Sequence, residues 1–113
     1  MLLPNCEFAV IEDEKLRDYC LDSEHPVGKH KARQFLERLG LMQKDYLLLK
    51  NLILKKIQVR ECLEVERSEF GRRFIVDIFL TIFAKKAKVR TSWIMKKKRI
   101  YPQIDLLLYN RLR

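Results

Sequence analysis

Arg73-Phe74-Ile75-Val76-Asp77-Ile78-Phe79-Leu80-Thr81-Ile82-Phe83 is the stretch whose pattern decides the architecture. Every even position is apolar, while the odd positions include Arg73, Asp77 and Thr81. A period of two held over this length predicts a strand whose even face meets a core. Downstream, Val89, Thr91, Trp93 and Met95 alternate with Arg90, Ser92 and Ile94, so residues 89–95 read as the next strand. Residues 104–109 supply another after the break at Pro102. Upstream, Leu63 and Val65 alternate with Glu64 and Glu66, a half-exposed strand closed by a turn over 68–71.

Ahead of residue 58 the period is helical. Asp13 is placed to cap a short helix with Leu16, Tyr19 and Cys20 on one stripe, ending by Asp22. Pro26 and Gly28 mark 23–28 as a loop. A second helix from about Lys29 carries Ala32, Phe35, Leu36 and Leu39 on one face, and Gly40 ends it. A third, over 44–57, has Leu49, Leu52, Ile53 and Ile57 in a stripe that Leu48 and Leu54 widen, so it is expected to be the most buried helix. Helices followed by strands predict an α+β domain: about three N-terminal helices packed on one face of a four-stranded antiparallel sheet.

Composition supports this. The chain has 113 residues with 48% hydrophobic residues and only three Gly and three Pro, which suits one domain with a helical part over 1–57 and a sheet part over 58–113. The longest apolar run, 74–84, is interrupted by Asp77 and falls short of the roughly 20 residues of a membrane helix. No membrane association is expected. Residues 1–14 lack a basic signal-peptide start, and a cytoplasmic location is the expectation. The three cysteines, Cys6, Cys20 and Cys62, fit neither a disulfide framework nor paired zinc ligands. Reduced thiols, no metal and no cofactor are expected.

The net charge of +9 is unevenly spread. Residues 1–70 carry 12 Lys/Arg against 13 Asp/Glu, whereas residues 71–113 carry 12 against 2. A surplus confined to the last third points to a polyanion, with nucleic acid, RNA ahead of DNA, as the leading partner and an acidic protein as the other. Lys85, Lys86 and Lys88, and then Lys96 to Arg99, are expected in successive hairpin connections, which lie at opposite ends of the strand between them.

The densest polar constellation is His25-Pro26-Val27-Gly28-Lys29-His30-Lys31, a loop opening into a helix. Helix N-terminal N–H groups favour anions, Gly28 permits close approach, and Lys29 and Lys31 add charge, so these three are candidate phosphate ligands. His25 and His30 could serve as general base and acid in attack of a ribose 2′-hydroxyl on its own phosphodiester. Arg90 could stabilise the charge of the transition state, with Ser92 and Arg72 as further phosphate ligands. The alternative is that His25 orders its loop and that His30, Lys31 and Arg33 form a solvated surface. Three glycines leave no Walker or GxGxxG loop and no GxSxG elbow, and the concentration of Asp and Glu in the N-terminal third, with Glu12, Asp13 and Glu14 explained by a helix start, argues against two-carboxylate glycosidases and two-metal nucleases.

Leu3-Pro4-Asn5, Lys15 to Tyr19, His25-Pro26-x-Gly28-x-x-Lys31-Ala32-x-x-Phe35 with Leu39-Gly40, and Val89-Arg90-Thr91-x-Trp93 together give a resemblance across nearly the whole chain. The sequence resembles a bacterial domain-of-unknown-function family whose members begin with Leu-Pro-Asn and carry a His-Pro-x-Gly-x-x-Lys-Ala-x-x-Phe motif. That resemblance implies a small stand-alone domain, also found fused to phage-type and secreted-toxin-type proteins. The helices-then-sheet order is similar to the metal-independent ribonuclease toxins that include barnase and RelE-type toxins, an analogy of fold. Related sequences end in Pro-Arg-Leu followed by a Thr and a Tyr; here the chain reads Pro102-Gln103-Ile104-Asp105-Leu106, without that arginine and threonine. The resulting expectation is a nucleic-acid-directed domain, in its sharpest form a metal-independent endoribonuclease of toxin type. A non-catalytic partner in a toxin–antitoxin or phage-related system is the alternative.

Overall fold

The computed structural model describes residues 1–110, with side chains described through Asp105. Arg111 and Arg113, part of the C-terminal charge surplus, lie outside the described residues. Helices come first: α1 (Asp13–Lys15) runs into a π-turn (Leu16–Cys20), then α2 (Lys29–Leu39) and α3 (Tyr46–Lys56). Four strands follow, β1 (Leu63–Ser68), β2 (Gly71–Ile82), β3 (Lys85–Lys96) and β4 (Gln103–Asn110). They pair antiparallel in the order β1-β2-β3-β4, and the helices pack against the sheet in an α+β fold.

Alternation assigns the two faces of the sheet. Phe74, Val76, Ile78, Leu80 and Ile82 of β2, and Ala87, Val89, Thr91 and Trp93 of β3, are buried under the helices. They share one core with Leu16, Phe35, Leu39, Leu49, Ile53 and Ile57. Trp93 is fully buried, and its indole N–H donates to Thr91 Oγ1 at 2.7 Å, while that hydroxyl donates to the Val76 carbonyl at 2.7 Å. Among the described residues no buried side-chain nitrogen or oxygen lacks a hydrogen-bond partner.

Several local expectations are modified. The first helix is an α-turn that widens into a π-turn, with the Leu21 N–H donating to the Leu16 carbonyl. Gly40 closes α2 at φ 70° as expected, and its N–H donates to the Leu36 carbonyl. Leu36 itself is 49% exposed. α3 is sealed on one side only, because Leu49, Ile53 and the following Ile57 reach the core while Leu47 and Leu48 face solvent. In β1 Leu63 pairs with Ile75 and so faces away from the helices, and the register shift between Glu64 and Glu66 sets Val65 out of the pairing; both are exposed on this edge strand.

Lys85, Lys86 and Lys88 lie inside β3 and not in a connection. The β2–β3 turn is only Phe83-Ala84, both at positive φ, 51° and 64°. This two-residue geometry normally signals itself with Asn or Gly, so a Phe-Ala turn leaves no sequence mark. The N-terminal segment also joins the core through Leu3, Cys6 and Ile11, and Val10 bridges Gln103 beside β4.

Candidate functional site

The loop before α2 is built around His25. Its Nδ1 accepts the N–H of Val27 at 3.0 Å and of Gly28 at 2.8 Å, while its carbonyl accepts the N–H of Lys29 at 3.1 Å. An imidazole accepting at Nδ1 is the Nε2–H tautomer. Its ring meets Tyr19 edge-on with centroids 4.8 Å apart. The N–H groups of Val27, Gly28 and Lys29, at the entry to the helix, are thus taken by the protein's own side chain and carbonyl.

Gly28 serves packing. A Cβ there would lie 2.1 Å from the Tyr19 carbonyl oxygen, so the loop rests directly on the π-turn. His25 lines a cavity of about 430 Å³ together with Glu12, Glu14, Lys15, Asp18 and Asp105. Asp18 is paired with Arg17 and Asp105 with Arg73, and the remaining Glu12 and Glu14 against Lys15 oppose a phosphate there.

Lys29 and His30 open elsewhere, onto a separate groove with Ser23, Arg33 and Gln43. Lys31 turns back over the Tyr19 ring, 5.1 Å from its centre, and burial lowers its ammonium pKa. Nearby Cys20 is buried, and burial pushes its thiol up to about 11. It is a core residue and not a nucleophile at neutral pH.

Arg90 lies across the sheet from these groups. Its neighbour Thr91 points into the helix-side core, so Arg90, paired with Asp77 of β2, stands on the opposite face, which is uncovered among the described residues. Arg90 Nε donates to Asp77 Oδ1 at 2.9 Å and Nη2 to Oδ2 at 3.1 Å. The Lys88 ammonium is 3.7 Å from Asp77 Oδ2. Hydrogen bonding from Arg90 holds the Asp77 carboxyl below the ordinary carboxylate range, against an opposing effect of partial burial. Beside the pair, Arg60 Nε donates to the Asp77 carbonyl at 3.3 Å and its guanidinium lies 5.4 Å from the centre of the Phe79 ring. A groove of about 610 Å³ runs between the segment after α3 and this face, lined by Arg60, Glu61, Leu63, Ile75, Asp77 and Arg90.

The single cluster expected from sequence is therefore not formed. His25, His30 and Arg90 face three different openings, and the sheet separates Arg90 from the other two. Of the phosphate ligands expected in this loop, Gly28 and Lys29 have their N–H groups used internally, and Lys31 folds onto Tyr19. Ser92 shares the uncovered face with Arg90 but is 8% exposed. Arg72 points to the helix side, ion-paired with Glu64 at 2.7 Å and over the Phe74 ring, while Arg73 takes the uncovered face and bonds Asp105. Sequence reasoning missed Asp77, Lys88 and Arg60 as companions of Arg90. For the first two a signal existed: odd positions in β2 and even positions in β3 share one face once the two strands are paired.

Among the described residues no group of three or more His, Cys, Asp or Glu is arranged to hold a metal ion, and no helix is long and apolar enough to cross a membrane. No curated protein and no solved structure matches the chain. The family described as a domain of unknown function (DUF6883) matches residues 2–106, spanning the loop of His25 and the strands of Asp77 and Arg90, and the chain belongs to that family.

Proposed function

We propose that the domain is nucleic-acid-directed, with RNA as the first ligand to test, and that it meets that ligand on the uncovered face of the sheet. The observation that carries this reading is the set Lys86, Lys88 and Arg90 at successive same-face positions of β3, with Asp77 as the carboxylate facing them. Such a row attracts phosphates through counterion release, and Phe79 and Ile75 beside it offer apolar contact to bases.

Cleavage is the stronger form of the proposal. A metal-independent endoribonuclease of toxin type needs a proton acceptor beside a phosphate clamp; on this face Lys88 and Arg90 are the candidate clamp and Asp77, a weak base while Arg90 bonds it, is the candidate acceptor. Asp77 would take the 2′-hydroxyl proton as that oxygen bonds to phosphorus; the P–O5′ bond would break, with the leaving oxygen protonated by Lys88. Exposed Leu63 and Phe79 among these cations favour a second reading, an acidic protein docked on the same face.

Purified protein incubated with labelled RNA in EDTA, beside Asp77→Asn and Arg90→Ala, tests cleavage; intact RNA with the unsubstituted protein ends that form of the proposal. A salt titration of RNA binding tests the rest. Phosphate contact predicts a linear fall of log affinity with log salt, shallower by about 0.7 in Arg90→Ala. Absence of RNA binding at low salt, together with capture of an acidic polypeptide, would move the assignment to the second reading.

A further inference from the structure

The residues of β3 that share the uncovered face are Lys86, Lys88, Arg90, Ser92, Ile94 and Lys96. Successive members lie about 6.6 Å apart in a nearly straight row, and the whole row spans roughly 33 Å. A duplex cannot follow it: each of its strands rises only about 3.4 Å per phosphate and winds away from any straight line. An extended single strand can place one phosphate beside each cation in turn. On β3 itself the middle of the row is uncharged at Ser92 and Ile94, with Ile75 opposite Ser92 on β2, so that stretch of the strand suits bases; opposite Ile94 stands Arg73, held by Glu66 and Asp105.

The row continues beyond Lys96 into the β3–β4 connection, where Lys97, Lys98 and Arg99 are all exposed. The Lys97 N–H donates to the Phe70 carbonyl at 3.2 Å, which ties this connection to the β1–β2 turn. Phe70 is 76% exposed, an aromatic side chain on the turn that this connection meets at Lys97. Cations interleaved with an unburied aromatic ring are the elements of a single-strand platform.

We infer that the ligand of the uncovered face is a single-stranded polynucleotide laid along β3, with one end held by Lys97–Arg99 and stacked on Phe70. This rests on the nucleic-acid reading above and adds to it the strandedness, the path and a second contact point at the far end of the strand.

Fluorescence anisotropy at low salt, with labelled oligouridylates of about four, eight and twelve nucleotides and a duplex RNA of about twelve base pairs, tests it. Affinity is expected to rise at least about tenfold from four to eight nucleotides and then level off, with the duplex roughly tenfold weaker than the single strand of equal length. Phe70→Ala and the pair Lys97→Ala with Lys98→Ala should each weaken the eight- and twelve-nucleotide oligomers about three- to tenfold. These positions are exposed, and an unchanged thermal transition verifies that the variants fold. Equal affinity for duplex and single strand, indifference to length, or indifference to Phe70 and Lys97 would overturn the inference while the nucleic-acid reading stands. No binding to any oligonucleotide would end both.

Discussion

On the helix side of the sheet, Phe74, Val76, Ile78 and Leu80 of β2 meet Val89 and Trp93 of β3 with at most 1% of any side chain exposed, and the polar groups there bond one another. On the other side of the same two strands, Ile75, Asp77, Phe79, Lys88 and Arg90 keep contact with water, and the charges pair only in part. One alternating pattern produces both faces. Burial concentrates stability on the first, whereas the second holds charge and apolar surface that the fold itself does not use. Substitutions on the two faces should therefore separate cleanly into effects on folding and effects on binding.

The largest separation is expected at Trp93. Trp93→Ala removes the largest buried side chain and leaves the Thr91 hydroxyl without its donor, which should cost about 3–5 kcal/mol in urea unfolding. RNA affinity per folded molecule should stay as it was. A lost affinity at unchanged stability would contradict the division of the faces.

A smaller effect should come from His25→Ala. Two backbone N–H groups lose their acceptor, a change comparable to losing a helix cap at about 1 kcal/mol. Because His25 sits on the helix side among carboxylates, RNA binding and any cleavage should persist. Abolished cleavage with an intact fold would instead return His25 to the chemistry.

The smallest effect on folding belongs to Asp77, although its effect on binding is larger. The lowered pKa of Asp77 in the folded state means that its contribution is present above the ordinary carboxylate pKa of about 3.9 and is lost as pH falls through the folded-state value. Screened by solvent, this pair contributes about 1 kcal/mol or less. Asp77→Asn should lower stability by that amount at pH values above the ordinary carboxylate pKa, and the difference from the unsubstituted protein should vanish as pH falls, which flattens the acid side of the profile. A thermal-melt series from neutral to acid pH reads it directly.

The sequence carried the strands through residues such as Ile78 and Trp93, whose alternation is local, and it carried α2 through Phe35, Leu39 and the stop at Gly40. It did not show the Phe83-Ala84 turn, because positive φ at residues other than Gly is imposed by the strands that flank it. It also missed the shift in β1, where Val65 is displaced by pairing with β2 and not by its own neighbours. The site divides in the same way. His25 was legible as a loop-ordering side chain from His-Pro-x-Gly, and its use in catalysis needed a partner across the sheet that alternation had already turned away.

What the chain determined by itself was the order of elements, the inward face of each central strand and the excess of positive charge in its last third, since each of these depends on residues a few positions apart. What only the tertiary structure decided was which charges meet. Asp77 and Arg90 are 13 residues apart and become partners because strand register brings them together, while His25 and Arg90 are kept apart because a closed core lies between them. Distance in space is set by packing, and packing is a property of the whole fold.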